Sequence, residues 1–558
     1  MTKYTSTVDN TNRPFAYDHN EKNVTSFGGL PGLMRNMRDG GFSDGIASVL
    51  ESFVPRPHPL FRYNSKEVIE QLMTAIFVGC PDFSEIKMLA KDELFKRVMP
   101  NQSIASASTL SRFFDRVEKV CQFLQNQALI DADRTFDSLG KTDPIRVTNK
   151  LFEALNKQTL SQAIRLLHKQ GGNETIIVDV DSTPVELSGS QREGFFDAHY
   201  GVTSYLPILV LFNGIPAFVQ NAPGAANGAK LLLIHVKSIL QTLKEAFPQA
   251  TIVVRGDTGY NNDALIEAIK AEGCKFLFGC NVAANRMKTE LINEILTFAA
   301  ADTYGTVFVP ADVISKLLPI GGLWGTEICE PGARCKATST TTDGKFRACG
   351  YLRDYKAKSW TSARILAYRL QYSPTFKDID IRFIQTNLTP AEALRLGGGR
   401  GVSKNRALPS ETFEPTEEFA TAAIELYEAL FSDRGQAERV NTEWKTHCCA
   451  ARCSLQGFFA NSLRMVIALT SLQVFEEYRI KLRRKEQPHR SNTIRRSNKP
   501  NRTRAHCAAM RRSGPSVETI RRRIICVPAT VRVLATRVHV STQPLSEIWE
   551  NRFNVLLE

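Results

Sequence analysis

Two stretches, TIIVDVDSTP at residues 175–184 and TIVVRGDTGY at residues 251–260, decide how the chain is read. Each begins with a β-branched run, which suits a strand buried on both faces. Each then reaches an acidic residue and a turn: Asp181 before Ser182-Thr183-Pro184, and Asp257 before Thr258-Gly259. A carboxylate at the carboxyl end of a buried strand faces the crevice in which α/β sheets bind ligands. Two such carboxylates on neighbouring strands concentrate negative charge, and a hard divalent cation compensates it through oxygen ligands. The plainer role of either residue alone is to cap a turn. Asp179 lies two residues before Asp181 on the same strand face and is its rival.

Around these stretches the pattern alternates. Phe195–Thr203 and Leu206–Phe212 read as strands, Asn227–Phe247 as a helix with Leu231, Leu232, Val236, Ile239, Leu240 and Leu243 on one face, Asn262–Glu272 as a helix, and Lys275–Cys280 as a strand. The order β-β-β-α-β-α-β describes a mixed sheet with a hairpin start and later parallel crossovers. It is the order of a ribonuclease-H-like fold, whose first part spans residues 171–297.

The flanks differ in character. Residues 1–25 are polar and expected to be disordered. Residues 26–170 read as all-helical, with apolar residues at a 3.6-residue period, as in Val68, Ile69, Leu72, Ile76 and Phe77. Residues 298–400 return to short strands; Tyr351–Lys358, Ile365–Leu370 and Ile379–Thr386 are expected in a separate β-rich insertion, followed by the flexible GGGRG at 397–401. Residues 401–480 resume the core through helices at Glu417–Leu430, Gln436–Lys445 and Leu455–Tyr478. Residues 481–558 form a basic C-terminal region, in which 486–515 is too poor in apolar groups to assign a fold. The whole is a multidomain α/β protein.

Composition bounds the function. Among 558 residues, 71 Lys and Arg face 57 Asp and Glu, a net charge of +14 that suits a polyanion such as nucleic acid. Between Arg479 and Arg523 stand sixteen Lys and Arg against Glu486 and Glu518, a local excess as large as that of the whole chain. Met1–Thr11 has no apolar segment, so no secretory signal is read there. The longest apolar runs, Leu206–Phe218 and Leu463–Phe475, are broken by Asn213, Gly214, Pro216 or Arg464 and fall short of the ~20 residues that span a bilayer. A soluble cytoplasmic protein is expected. The twelve cysteines are scattered; the groups His447, Cys448, Cys449, Cys453 and Cys329, Cys335, Cys349 lack paired spacing and read as reduced thiols.

A third element joins the two aspartates. Phe431, Arg434, Glu438 and Lys445 lie at offsets 0, 3, 7 and 14, and a helix drifts only about 20° per seven residues. One helix face then presents a carboxylate flanked by two cations. The plainer alternative is a solvated helix with Arg434 and Glu438 paired at i,i+4.

With Asp181 and Asp257, the series Phe431-x2-Arg434-x3-Glu438-x6-Lys445 resembles the DDE transposases of bacterial insertion sequences, in the branch with a Tyr-x2-Arg-x3-Glu-x6-Lys signature. Phe stands where that signature has Tyr, which removes a hydroxyl able to meet DNA phosphate. The segments DVDSTPVELSGSQREGFFDAHYG at 179–201, RGDTGY at 255–260, RFIQTNL at 382–388 and TLSRF at 109–113 resemble insertion-sequence family 1380, over residues 25–480 and more weakly 516–558. The resemblance implies excision and insertion of an element by phosphoryl transfer at its terminal inverted repeats. It implies two divalent ions, Mg2+ or Mn2+, roughly 4 Å apart and held by Asp181, Asp257 and Glu438. Arg434 and Lys445 would clamp phosphates, and a homodimer would hold two double-stranded DNA ends. Asp181 is preferred to Asp179 because it abuts the turn and matches the family position. Trp360 falls in the insertion, where related transposases use an aromatic to stack an extruded base, although packing is its plainer role.

Other residues carry smaller expectations. Ser108 is expected to cap a helix beginning Thr109-Leu110-Ser111-Arg112, whose N-terminus suits phosphate or base-edge contacts in a helix-turn-helix; an ordinary bundle helix is the alternative. Arg255 and His199 either line the cleft or serve the structure. Two rival functions stay open: a metal-dependent nuclease without strand transfer, and a DNA-binding protein with a decayed core.

Overall fold

The computed structural model describes residues 3–8, 14–17, 23–56, 62–80, 82–280, 346–356, 359–373, 378–397, 422, 425–494, 514–534 and 537–558. The described residues fall into two compact units, one within residues 124–442, the other within residues 1–123, 443–494 and 514–558.

The first unit is built on a mixed sheet. Its strands are β1 (Thr175–Ser182), β2 (Ile208–Phe212), β3 (Ile215–Gln220), β4 (Thr251–Gly256), β5 (Lys275–Cys280), β6 (Phe346–Tyr355), β7 (Arg364–Ser373) and β8 (Asp378–Thr386). They lie in the order β6-β7-β8-β5-β4-β1-β2-β3. β4 runs parallel to β1 and β5, while β2 pairs antiparallel to β1. The β-branched runs fill the centre: Ile176, Val178, Val180, Ile252, Val253 and Val254 are all buried. Helix α1 (Gly228–Ala246) turns its expected apolar face inward, and α2 (Asp263–Ala271) precedes β5.

Two expectations need correction. The strand expected at Phe195–Thr203 is not in the main sheet; Phe195–Asp197 and Val202–Tyr205 form a small sheet with Val185–Glu186. The stretch alternates polar residues and the exposed Phe196, and does not supply the continuous apolar run a central strand needs. β3 takes that place. It follows β2 through Asn213-Gly214, both at positive φ (48° and 83°), the two-residue turn that Asn-Gly favours. Pro216 is tolerated because β3 is an edge strand and its register with β2 shifts there. Last, the strands expected in a separate insertion continue the main sheet. β8 pairs with β5 from Leu277↔Thr386 to Cys280↔Phe383, covering what would otherwise be an open edge of β5. Residues 298–345 of the expected insertion, and 398–401 of the connector, lie outside the described residues.

One face of this sheet carries the helical return. Val253, Leu277, Ile365, Ala367 and Ile384 pack with Leu388, with Ala393 and Leu394 of α3 (Pro390–Gly397), and with Leu426, Tyr427 and Leu430. Burying these side chains contributes roughly 1.5–3 kcal/mol each. That pins the segment 425–431 against the strands that bear Asp181 and Asp257.

The second unit is helical where the sequence reads helical: Leu30–Asp39, Phe42–Phe53, Ser65–Val78, Phe83–Leu89 and Glu93–Val98. Asn64 and Glu67 form a reciprocal capping box at the start of Ser65–Val78. The polar N-terminal stretch expected to be disordered contains two paired strands, Lys3–Val8 and Pro14–Tyr17. The helix expected to end at Tyr478 runs from Phe458 to Ile494, into the basic stretch; residues 495–513 lie outside the described residues. Its portion Phe458–Glu486 is long and apolar enough to cross a membrane, which the broken apolar runs did not suggest, but its most apolar stretch is wholly buried inside the protein. Core helices share that composition. Arg479 on this helix is buried and paired with Glu476 and, at 2.8 Å, with Glu443.

Candidate active site

The parallel register of β1 and β4 sets the geometry. Thr175 pairs with Thr251, and Asp179 with Arg255, so the next positions on that face are Asp181 and Asp257. Side chains alternate with a period of two, which puts all four on the same side of the sheet.

Asp179 and Asp181 then diverge. Asp179 is buried, and both its oxygens accept from Arg255, at 2.5 Å from Nε and 2.8 Å from Nη2. Arg255 Nη1 also donates to the Leu430 carbonyl, tying the helical return to the sheet. Among the described residues, Asp181 has no such ion-pair partner. Its carboxyl is pushed up to about 6, chiefly by burial. The charges of Asp257 and Glu438 push the same way; Arg434 and the Ser182 backbone N–H pull back. Asn441 Nδ2 donates to Asp181 Oδ2 at 2.5 Å.

Asp257 divides its two oxygens. Oδ1 accepts from the Gly259 backbone N–H at 2.8 Å, the turn-capping role, while Oδ2 lies 3.6 Å from Arg434 Nη1. Arg434 Nη2 stands 3.4 Å from Glu438 Oε1. Arg434 therefore bridges Asp257 and Glu438. Behind the carboxylates, Ser182 Oγ and the buried Tyr260 hydroxyl are hydrogen-bonded at 2.8 Å. Any side chain at Gly228 would collide with Ser182 Oγ, so the start of α1 needs glycine. Tyr200, in the turn between Phe195–Asp197 and Val202–Tyr205, is only partly covered; that partial burial pushes its hydroxyl up, and the charges of Asp181, Asp197 and Asp257 add to it. Asp197 accepts from the His199 backbone N–H.

The single helical face expected from offsets 0, 7 and 14 is not formed. The segment winds as a π-helical turn at Glu425–Phe431, a 3-10 turn at Ser432–Arg434, the α-helix α4 at Gly435–Thr442, and a second π turn at Glu443–His447. Each change in residues per turn rotates the following side chains, so heptad spacing no longer keeps one face. Phe431 packs against the apolar core and edge-on to Tyr427 at 5.5 Å. Arg434 and Glu438 keep their i,i+4 contact. Lys445 lies in the second π turn, which belongs to the other unit.

Among the described residues, no three His, Cys, Asp or Glu side chains stand close enough to share a metal ion. In kind, the donors fit a hard divalent cation: Asp181, Asp257 and Glu438 offer carboxylate oxygens, and Asp181 is held toward its neutral form by burial first, with the charges of Asp257 and Glu438 adding to it. The cysteines near His447 are free thiols; Cys448 and Cys453 are buried, and burial pushes the Cys453 thiol up to about 12. Cys329 and Cys335 lie outside the described residues.

The residues expected to meet DNA fall in both units. The helix expected to start at Thr109 starts at Ala107, and Ser106, not Ser108, caps it: Ser106 Oγ accepts from the Thr109 N–H at 3.2 Å. An N-cap oxygen reaches the third helical amide, which with this start is Thr109. Ser111 is half-buried and Arg112 exposed, its Nε donating to the Ser108 carbonyl. Trp360 is half-buried between β6 and β7, its ring 4.3 Å from the Arg364 guanidinium. Asn441 and the Ser182–Tyr260 pair were not singled out from the sequence. The one available signal for Asn441 was its position three residues after Glu438.

Comparison with known proteins gives a family model described as "Transposase DDE domain group 1", which matches residues 9–496. No curated protein matches the chain. Among solved structures, a chain of the piggyBac transposase synaptic complex with hairpin DNA, determined by cryo-EM, is similar at 10% identity and a TM-score of 0.36, over 94% of this chain and 84% of that one.

Proposed function

The chain belongs to the transposase DDE domain group 1 family, and from that premise we propose that Asp181, Asp257 and Glu438 are the carboxylates with which it acts on DNA. It is a DNA transposase, a metal-dependent enzyme that cuts DNA and transfers strands. One observation carries the assignment of the site: Arg434 bridges Asp257 and Glu438, while Asn441, from the same helix as Glu438, binds Asp181.

The finer reading follows. The order β3-β2-β1-β4-β5, antiparallel and then parallel, supports a ribonuclease-H-like catalytic core. The substrate is double-stranded DNA at the terminal inverted repeats of an insertion sequence, in the branch of family 1380. The cofactors are two Mg2+ or Mn2+ ions held by Asp181, Asp257 and Glu438. Bound ions of this kind supply stabilisation of an attacking oxygen and a leaving 3′-oxygen.

The protein's own groups do the positioning. Asp257 and Glu438 each face Arg434, so binding a cation requires Arg434 to release them. The freed guanidinium then suits a DNA phosphate, which it meets in bidentate fashion. Lys445 is a second phosphate contact. Thr109, Ser111 and Arg112, near one helix N-terminus, contact the repeat ends, and Trp360 stacks on an extruded base. Two copies hold two ends as a homodimer, and the protein works on cytoplasmic, nucleoid DNA.

The test is cleavage of a plasmid carrying the inverted repeats that flank the gene, with Mg2+ or Mn2+, comparing wild type with Asp257→Ala. Metal-dependent cuts at the repeat ends, absent in the variant, are expected. Equal cutting by both proteins would sink the assignment.

A further inference from the structure

We propose that Asn441 is a positioning residue of this site, fixing Asp181 through its amide nitrogen and presenting its amide oxygen to a water of a bound divalent cation. The inference rests on the assignment of Asp181 and Glu438 above. Asn441 lies on α4 three residues after Glu438, close to one helical turn, so both side chains project from neighbouring positions of one helix face. It is nearly fully buried, at 6% exposure.

The direction of its amide is set by chemistry. A carboxylate only accepts hydrogen bonds, so the Nδ2 side must face Asp181 Oδ2, as it does at 2.5 Å. That leaves Oδ1 pointing away from Asp181. Oδ1 is buried and has no hydrogen-bond partner among the described residues. Buried polar atoms are nearly always paired, and an exception calls for a missing partner. Beside a cluster of carboxylates, a neutral carbonyl oxygen suits a cation or the water on it. Such outer contacts fix the orientation of the ligands themselves.

The residue type also discriminates between alternatives. Aspartate here would add a further charge to carboxylates that already repel one another. Leucine would have the right bulk but would leave Asp181 free to turn. Asparagine donates to the carboxylate without adding charge, and it couples the strand that bears Asp181 to the helix that bears Glu438.

The experiment measures Mn2+ affinity of the full-length chain by electron paramagnetic resonance, with thermal unfolding of the metal-free protein beside it. Asn441→Leu is compared with Asn441→Ser, Asp181→Ala and wild type. Asn441→Leu is expected to weaken Mn2+ binding about tenfold or more while the metal-free unfolding midpoint stays near that of wild type. Asn441→Ser, which keeps a small polar group, is expected to lose less. If Asp181→Ala loses Mn2+ and both Asn441 variants bind it as wild type does, the role of Asn441 is overturned and the site stands. If Asp181→Ala also binds as wild type does, the assignment of the site itself fails. Failure of both Asn441 variants to fold without metal would make the residue structural and overturn the proposal as well.

Discussion

Asp179 and Asp181 are two residues apart on one strand face, yet their surroundings give them opposite states. Asp179 is neutralised by Arg255 in a buried, two-pronged ion pair. Removing one partner of such a pair leaves an unpaired buried charge. Arg255→Met should therefore cost about 3–5 kcal/mol, read as a lowered urea midpoint. A loss below about 1 kcal/mol, the range of a surface pair, would refute the structural role. Asp181 is the reverse case. Its folded value near 6 lies above the unfolded value of about 3.9, so the folded state holds the proton more tightly. Stability from this group is present below pH of about 4 and lost as pH rises through about 6. Asp181→Asn should therefore stabilise the metal-free protein at pH 7.5, by on the order of 2 kcal/mol, with little effect at pH 4. A gain of equal size at both pH values would contradict this account.

At the scale of elements, the segment 425–447 matters most. Its apolar side, Leu426, Tyr427 and Leu430, docks on the sheet, and Arg255 holds its Leu430 carbonyl. The π and 3-10 turns before α4 then rotate Arg434 and Glu438 toward Asp257 while Phe431 packs inward. The Phe431 ring serves packing against Tyr427. Leu426 is fully buried, and Leu426→Ala should cost about 2–5 kcal/mol through lost burial and the cavity left behind. Because the same segment carries Glu438, this variant should also weaken Mn2+ binding. A stable variant with unchanged midpoint would show that docking does not depend on this contact. The Asn213-Gly214 turn gives the complementary lesson. Its dipeptide is a strong hairpin signal, but Pro216 just beyond it argued against a strand, and only the edge position of β3 removes the objection.

Over the whole molecule, charge and fold are separable. The basic excess lies between Arg479 and Arg523, and its first part is the end of a buried core helix in which Arg479 is paired with Glu443 and Glu476. The Lys and Arg of residues 495–513 should act on DNA phosphate without regard to sequence, releasing counterions on binding. Deleting residues 495–513 should flatten the dependence of DNA affinity on salt and leave preference for the repeat ends nearly unchanged. An unchanged salt slope would count against that role.

By itself the sequence determined the two aspartate-bearing strands, the helices α1 and α2, the N-terminal helices and the candidate set Asp181, Asp257 and Glu438. The elements follow from local periodicity and turn chemistry, and the candidate set from strand-end position together with the resemblance to DDE transposases, none of which needs knowledge of distant partners. Tertiary structure decided the rest. It placed Arg255 in register with Asp179, so that Asp179 and not Asp181 carries the buried ion pair. It brought Asn441 to Asp181 across 260 residues of sequence. It also set β8 against the edge of β5, and it replaced an ideal helix by mixed turns at 425–447. Each of these depends on pairing between segments remote in sequence, where burial and charge compensation outweigh local propensity.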